Sequence, residues 1–298
     1  MFISIICDAA WFVNYYLYIP TQTHYNDSET KPERMTQMQF KTYPLPGGGE
    51  LDVYLRTPAP AMPNALRRPL VLVVPGGGYE HVSAREADPV ALQFAAAGYH
   101  TAVLTYSVGE GARNYQPLRQ LSAALALLRE HAEAWGVLPE QIAVCGFSAG
   151  GHLALSGAVL DLPGGEAAAQ QRPNAVLLAY PVVTAGEYAH RGSFVRLSGS
   201  EDPVDHQKFT LEDKITPDTP PVFVWHTMED ATVPVENTLL LLAALRKNRV
   251  PCEVHLFEKG VHGTSISTAE VDAASAHRAH WVQLAVEWLN DTFDFHLA

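Results

Sequence analysis

Five short apolar runs limit what this chain can fold into. They are Pro69–Val74 (PLVLVV), His100–Tyr106 (HTAVLTY), Gln141–Cys145 (QIAVC), Ala175–Tyr180 (AVLLAY) and Pro221–His226 (PVFVWH). A strand with one wet face alternates apolar and polar residues; a run without alternation is buried on both faces, as in a parallel sheet. The segments between the runs read as helices. Glu86–Ala97 is Ala-rich and stops at Gly98. Leu118, Leu121, Leu125, Leu128, Ala132 and Trp135 step by 3, 4, 3, 4 and 3, an amphipathic stripe ended by Gly136. His152–Leu160, Pro234–Arg249 and Glu270–Asn290 complete the set, and Glu253–Phe257 is the last strand. Strand and helix alternating in this way predict an α/β fold, with a mostly parallel central sheet and helices on both faces. Glu50–Arg56 alternates and reads as an exposed edge strand. Residues 184–219 are long, mixed and aperiodic, as expected of a short lid-like or binding insertion.

The 298 residues are 47% apolar and 17% charged, a globular composition. The net charge of −12, with no basic run, argues against nucleic acid and anionic membrane surfaces as partners. Three cysteines (Cys7, Cys145, Cys252) show no metal-like spacing and suggest a reducing, cytoplasmic setting without disulfides. Cys145 reads as a small core residue. Residues 1–20 are mostly apolar, but Asp8, Asn14 and Pro20 interrupt them and the first basic residue is Lys31. That pattern fits neither a secretory signal nor a stable membrane span. Residues 21–34 are polar. The expectation is an appendage over 1–34, outside a catalytic domain over 35–298. A homodimer is compatible with this composition.

Strand 141–145 runs into Gly146-Phe147-Ser148-Ala149-Gly150-Gly151 and then into an apolar helix. Strand, Gly-x-Ser-x-Gly, helix is the context of a nucleophile elbow. A serine at the tip of so tight a turn takes strained dihedrals, and its neighbours must be nearly without side chains. A serine hydroxyl is a weak nucleophile, so it needs a base, and the base needs an orienting carboxylate. In this architecture the chain order is serine, acid, histidine. Asp230 follows the strand ending at His226, in the loop before a helix. Glu229 is its rival, and Asp202 and Asp205 in the insertion are more distant choices. Among thirteen histidines, His262 in Gly260-Val261-His262-Gly263 follows the last strand. His226 precedes the acid, His152 lies too close to Ser148 along its helix, and His277 and His280 face solvent on the final helix.

Acyl transfer develops negative charge on the carbonyl oxygen, and each fixed N–H donor stabilises it by roughly 3–4 kcal/mol. The Ala149 N–H at a helix start is one expected donor. Gly77 and Gly78, in the Gly76-Gly77-Gly78 turn after strand 69–74, supply the other. The spacing there matches neither a dinucleotide fingerprint nor a P-loop.

Four stretches together carry a family resemblance. They are Pro-Gly-Gly-Gly-Tyr at 75–79 with Ser83-Ala84-Arg85-Glu86, Gly-Phe-Ser-Ala-Gly-Gly at 146–151, Trp-His-Thr-Met-Glu-Asp at 225–230 with Val-Pro-Val-Glu-Asn at 233–237, and Gly-Val-His-Gly at 260–263. On these, residues 40–298 resemble the α/β-hydrolase superfamily, and within it the bacterial short-chain esterases related to acetyl-xylan and feruloyl esterases. Hormone-sensitive-lipase-type members begin the oxyanion loop with His-Gly-Gly, where this chain has Pro75. The resemblance implies Ser148 as nucleophile, Asp230 as acid, His262 as base, and oxyanion donors from Gly77, Gly78 and Ala149. It implies a small-molecule ester substrate, acetyl groups on sugars or xylo-oligosaccharides, and no metal or cofactor. A serine aminopeptidase and an arylformamidase share the fold and triad and stand as alternatives. A non-catalytic small-molecule-binding protein on the same scaffold is a further one.

Overall fold

Strands β1 (Met38–Leu45) and β2 (Gly49–Arg56) form a hairpin through the Pro46-Gly47-Gly48 turn, where both glycines take positive φ. The computed structural model describes residues 38–297, so the expected appendage over 1–34 lies outside the described residues. After the hairpin, strands and helices alternate. The order is β3 (Arg68–Val74), α1 (Asp88–Ala96), β4 (His100–Thr105), α2 (Gln116–Glu130), α3 (Ala132–Trp135), β5 (Val137–Phe147), α4 (Ala149–Val159) and β6 (Ala175–Ala179). There follow α5 (Arg191–Ser198), α6 (Pro203–His206), β7 (Val222–Thr227), α7 (Glu236–Lys247), β8 (Cys252–Phe257) and α8 (Ala276–Phe293). The eight strands make one sheet in the order β1-β2-β4-β3-β5-β6-β7-β8. β1 and β2 run antiparallel; β3 to β8 pair in parallel.

The expectation for Glu50–Arg56 needs correction. β2 is not an edge: β1 covers one side of it and β4 the other. β1 itself is almost wholly exposed and carries no apolar alternation to betray it. Strand-helix alternation therefore begins only at β3.

The unbroken apolar runs are explained by two cores, one on each face of the sheet. On β3, Leu70, Leu72 and Val74 face a core with Leu121 and Leu125 of α2, Leu153 of α4 and Leu241 of α7. Val71 and Val73 face the other core, with Phe94 of α1 and Trp281 of α8. Cys145 is buried in this second core. Every side chain of β3 is buried, so each of its five Leu and Val residues gains about 1.5–3 kcal/mol from burial, less the entropy of ordering it. In α7, Leu241 and Leu245 are buried whereas Leu239 and Leu240 are exposed, as a helical period requires.

Residues 184–219 form α5, α6 and two short 3₁₀ turns. Phe194, Leu197, Phe209, Leu211 and Ile215 from this insertion are buried in the first core. It is anchored as a wall beside the carboxyl ends of the strands, where sheets of this kind place their ligands. Among the described residues no helix is long and apolar enough to cross a membrane.

Candidate active site

Ser148 stands between β5 and α4 at φ 53°, ψ −118°. Non-glycine residues rarely take positive φ, and here the surroundings impose it. The Ser148 N–H donates to the Ala179 carbonyl at 3.0 Å, and the Ser148 carbonyl accepts from His152 and Val182, each at 3.1 Å. Strand and helix meet too closely for side chains. A Cβ on Gly146 would overlap the Gly150 carbonyl, and one on Gly150 would overlap the carbonyls of Val74 and Pro75.

The structure brings Ser148, His262 and Asp230 into one hydrogen-bonded chain. His262 Nε2 lies 2.8 Å from Ser148 Oγ, and His262 Nδ1 lies 2.6 Å from Asp230 Oδ2. The Asp230 carboxylate accepts from Nδ1–H, which leaves the neutral ring's Nε2 lone pair to accept the serine hydroxyl proton. This is the geometry a general base needs. The Asp230 side chain is fully buried, while that of His262 retains 17% exposure toward a cavity of about 330 Å³.

Asp230 is held from several sides. Its Oδ1 accepts from the N–H groups of Thr232 (3.0 Å) and Val233 (2.9 Å). Burial alone would raise its carboxyl affinity for a proton. Hydrogen bonds from His226 and His262, the nearby His262 charge and the Val233 N–H outweigh burial and hold it below the usual carboxylate range. Sequence reasoning set His226 aside because it precedes the acid, and so missed its place here. His226 Nε2 lies 3.0 Å from the Val233 carbonyl and 3.3 Å from Asp230 Oδ2. A carbonyl only accepts, so Nε2 carries a proton, and Nδ1 lies 2.8 Å from Thr238 Oγ1. His226 is thus a second imidazole donor to Asp230.

Glu229, the rival acid, turns elsewhere. Its Oε2 accepts from the Gly260 N–H at 3.2 Å, on the backbone leading into His262. Asp202 accepts from the Val204 N–H at the start of α6, and Asp205 is exposed within that helix; neither joins the constellation. His152 does not reach Ser148. It is buried, lies 2.9 Å from the Tyr79 hydroxyl and 2.8 Å from the Phe209 carbonyl, and burial lowers it to about 4 against the smaller opposing effect of Phe209. His277 and His280 are exposed on α8, as expected.

The glycine loop after β3 packs against the elbow. A Cβ on Gly76 would lie 3.0 Å from that of Ser148. The Gly76 N–H donates to Glu86 Oε2 at 2.9 Å, whereas the N–H groups of Gly77, Gly78 and Ala149 meet no acceptor among the described residues. Gly77 takes φ 120°, and a Cβ there would overlap the His81 carbonyl. The sequence places Glu86 at a helix start and within one of the stretches that carry the resemblance, and assigns it no role in the site. It is buried, and its Oε1 accepts from the Tyr180 hydroxyl at 2.7 Å. That hydroxyl in turn accepts from the Ser265 N–H at 2.8 Å, and the Tyr180 ring meets the His262 ring edge-on at 5.0 Å. Ser265 Oγ donates to the Arg85 carbonyl. Residues 85–86 therefore tie the glycine loop to the histidine loop. No sequence pattern signals such a tie, because its ends lie about 180 residues apart.

A solved structure of MGS-M1, an α/β-hydrolase enzyme from a Medee basin deep-sea metagenome library, superposes with a TM-score of 0.72 at 34% identity, covering 87% of this chain and all of that one. The chain is an α/β-hydrolase. The sequence profile of the prolyl oligopeptidase family matches residues 109–293 of this hydrolase, and the BD-FAE profile matches 51–166. The acetyl ester-xyloside bifunctional hydrolase of Caldicellulosiruptor lactoaceticus is 33% identical, with a TM-score of 0.72, over 84% of this chain and 90% of that one. Endo-1,4-beta-xylanase B of Butyrivibrio fibrisolvens is 35% identical over 215 residues, 69% of this chain but 34% of the relative. The hydrolase spans between about a third and about half of the curated relatives it matches.

Proposed function

We propose that this hydrolase is a serine carboxylesterase that cleaves short-chain acyl esters, with acetyl groups on sugars or xylo-oligosaccharides as the substrate class. Ser148 attacks the ester carbonyl while His262 Nε2 takes its proton. Asp230 fixes the ring through Nδ1–H and stabilises the imidazolium that forms. The developing oxyanion is received by the free N–H groups of Gly77, Gly78 and Ala149. His262 then returns the proton to the leaving alcohol, and water, activated by the same nitrogen, hydrolyses the acyl-enzyme.

The observation that carries this reading is the unbroken hydrogen-bond chain from Ser148 Oγ to Asp230 Oδ2, opening onto a cavity with unpaired N–H donors. The sugar acetate preference draws on the hydrolase's similarity to an acetylxylan esterase of Xylanibacter ruminicola and to the acetyl ester-xyloside bifunctional hydrolase. The prolyl oligopeptidase match favours a second reading, an aminopeptidase. Holding a substrate ammonium group calls for a free carboxylate in the cavity. Glu80 is paired with Arg196 at 3.1 Å, and Glu86 is engaged by Gly76 and Tyr180, so the ester reading fits better.

The test is turnover by the wild type and Ser148→Ala. Wild type should hydrolyse p-nitrophenyl acetate and acetylated xylosides faster than an aminoacyl anilide or N-formylkynurenine. Ser148→Ala should lose roughly 10⁴–10⁶-fold in kcat. Substantial residual turnover by the variant, or anilide cleavage as the fastest reaction, would overturn it.

A further inference from the structure

The cavity over Ser148 is lined by two histidines besides His262, His81 and His190, and one ring nitrogen of His190 is uncommitted. His190 comes from the insertion, immediately before α5, and lines the cavity with Ser148, His262 and Gly78. Its Nδ1 lies 2.9 Å from Ser193 Oγ, and the Ser193 N–H donates to the His190 carbonyl at 3.0 Å. Ser193 is fully buried, and the next residue, Phe194, is packed edge-on against His152 at 5.5 Å. The ring is therefore held in place. Its Cε1 stands 3.6 Å from where a Cβ on Gly78 would be, so the ring overlooks the glycine loop. Nε2 meets no acceptor or donor among the described residues. Burial and then the neighbouring His262 hold the ring's proton affinity below the ordinary value, with Asp230 opposing, so the ring is neutral near pH 7.

A neutral imidazole with Nδ1 engaged by a hydroxyl offers one polar atom, a donor or an acceptor as the Ser193 hydroxyl rotates. A substrate hydroxyl matches either state, since it both donates and accepts. An acetyl group has no polar atom beyond the ester itself, so that hydroxyl must belong to the alcohol portion. We propose that His190 is a specificity-determining residue that hydrogen-bonds a hydroxyl of the substrate's alcohol portion, selecting esters of hydroxyl-rich alcohols. This rests on the esterase reading above.

The experiment compares kcat/KM for an acetylated methyl xyloside with kcat/KM for p-nitrophenyl acetate, in wild type, His190→Ala and His190→Gln. The ratio of xyloside to aryl ester should fall about tenfold in His190→Ala, the worth of one hydrogen bond in a site. His190→Gln, which keeps a polar atom on that wall, should recover part of it. A ratio unchanged within about twofold in His190→Ala, whatever the absolute rates, overturns the proposal. So does wild-type turnover of the aryl ester without turnover of the xyloside, while the esterase reading survives. Wild type inert toward both esters removes both readings together.

Discussion

Two buried carboxylates support His262, Asp230 by direct contact and Glu86 through Tyr180, and they do different work. Asp230 receives the Nδ1–H of His262, with His226 as a second imidazole donor. Glu86 receives a backbone N–H from Gly76 and a phenol from Tyr180. Around Asp230 the charge matters, because it sets which ring nitrogen carries the proton. Around Glu86 the acceptor positions matter, because they hold two loops in register. The contrast shows that the same functional group can act through its charge or through its geometry, and the partners reveal which.

If that contrast is right, amide replacement should hurt the two sites very unequally. Asp230→Asn should lower kcat for p-nitrophenyl acetate by about 10³–10⁴-fold, since an amide no longer enforces the Nδ1–H tautomer. The same variant sharpens the comparison in acid. The Asp230 carboxyl is held below its ordinary range when folded. Its contribution to stability is therefore complete above about pH 4 and is lost as pH falls through the folded value. Urea unfolding of wild type should show that loss below about pH 4, and Asp230→Asn should lack it.

Glu86→Ala should cost about 10²-fold in kcat, through misplacement of the glycine and histidine loops. Glu86→Gln, which keeps acceptor geometry, should retain most of the activity that Glu86→Ala loses. Equal damage from Glu86→Gln and Asp230→Asn would erase the distinction. The smallest effect belongs to Glu229. Its carboxylate touches the Gly260 backbone and no ring nitrogen, so Glu229→Gln, which keeps an acceptor oxygen for the Gly260 N–H, should change kcat by no more than roughly twofold. A loss as large as that of Asp230→Asn would exchange their roles.

The sheet and the Ser148–His262–Asp230 chain were legible because their signals are local. Buried parallel strands write unbroken apolar runs; Ser148 and Asp230 each follow one, and His262 follows the last strand, which carries Glu253 and His255 and is only partly buried. What escaped has no local signature. β1 is exposed along nearly its whole length, so nothing in Met38–Leu45 separates it from loop. β2 alternates as an edge strand would, but its outer neighbour is that unmarked β1. Glu86 sits where a helical segment begins, and only the folded chain reveals that its partners are Gly76 and Tyr180. His226 failed a rule about chain order that applies to the base and says nothing about a residue supporting the acid. His190 lies in the one stretch without periodicity.

The dihedrals at Ser148 reach beyond catalysis. At φ 53°, ψ −118° a serine carries strain of about 1–3 kcal/mol in every folded molecule, with or without substrate. Glycine would occupy the same turn freely. A laboratory screen that rewards heat resistance and never measures turnover would thus enrich Gly at position 148 and collect sturdier, inert proteins. Any directed-evolution campaign on this hydrolase has to read out activity at each round.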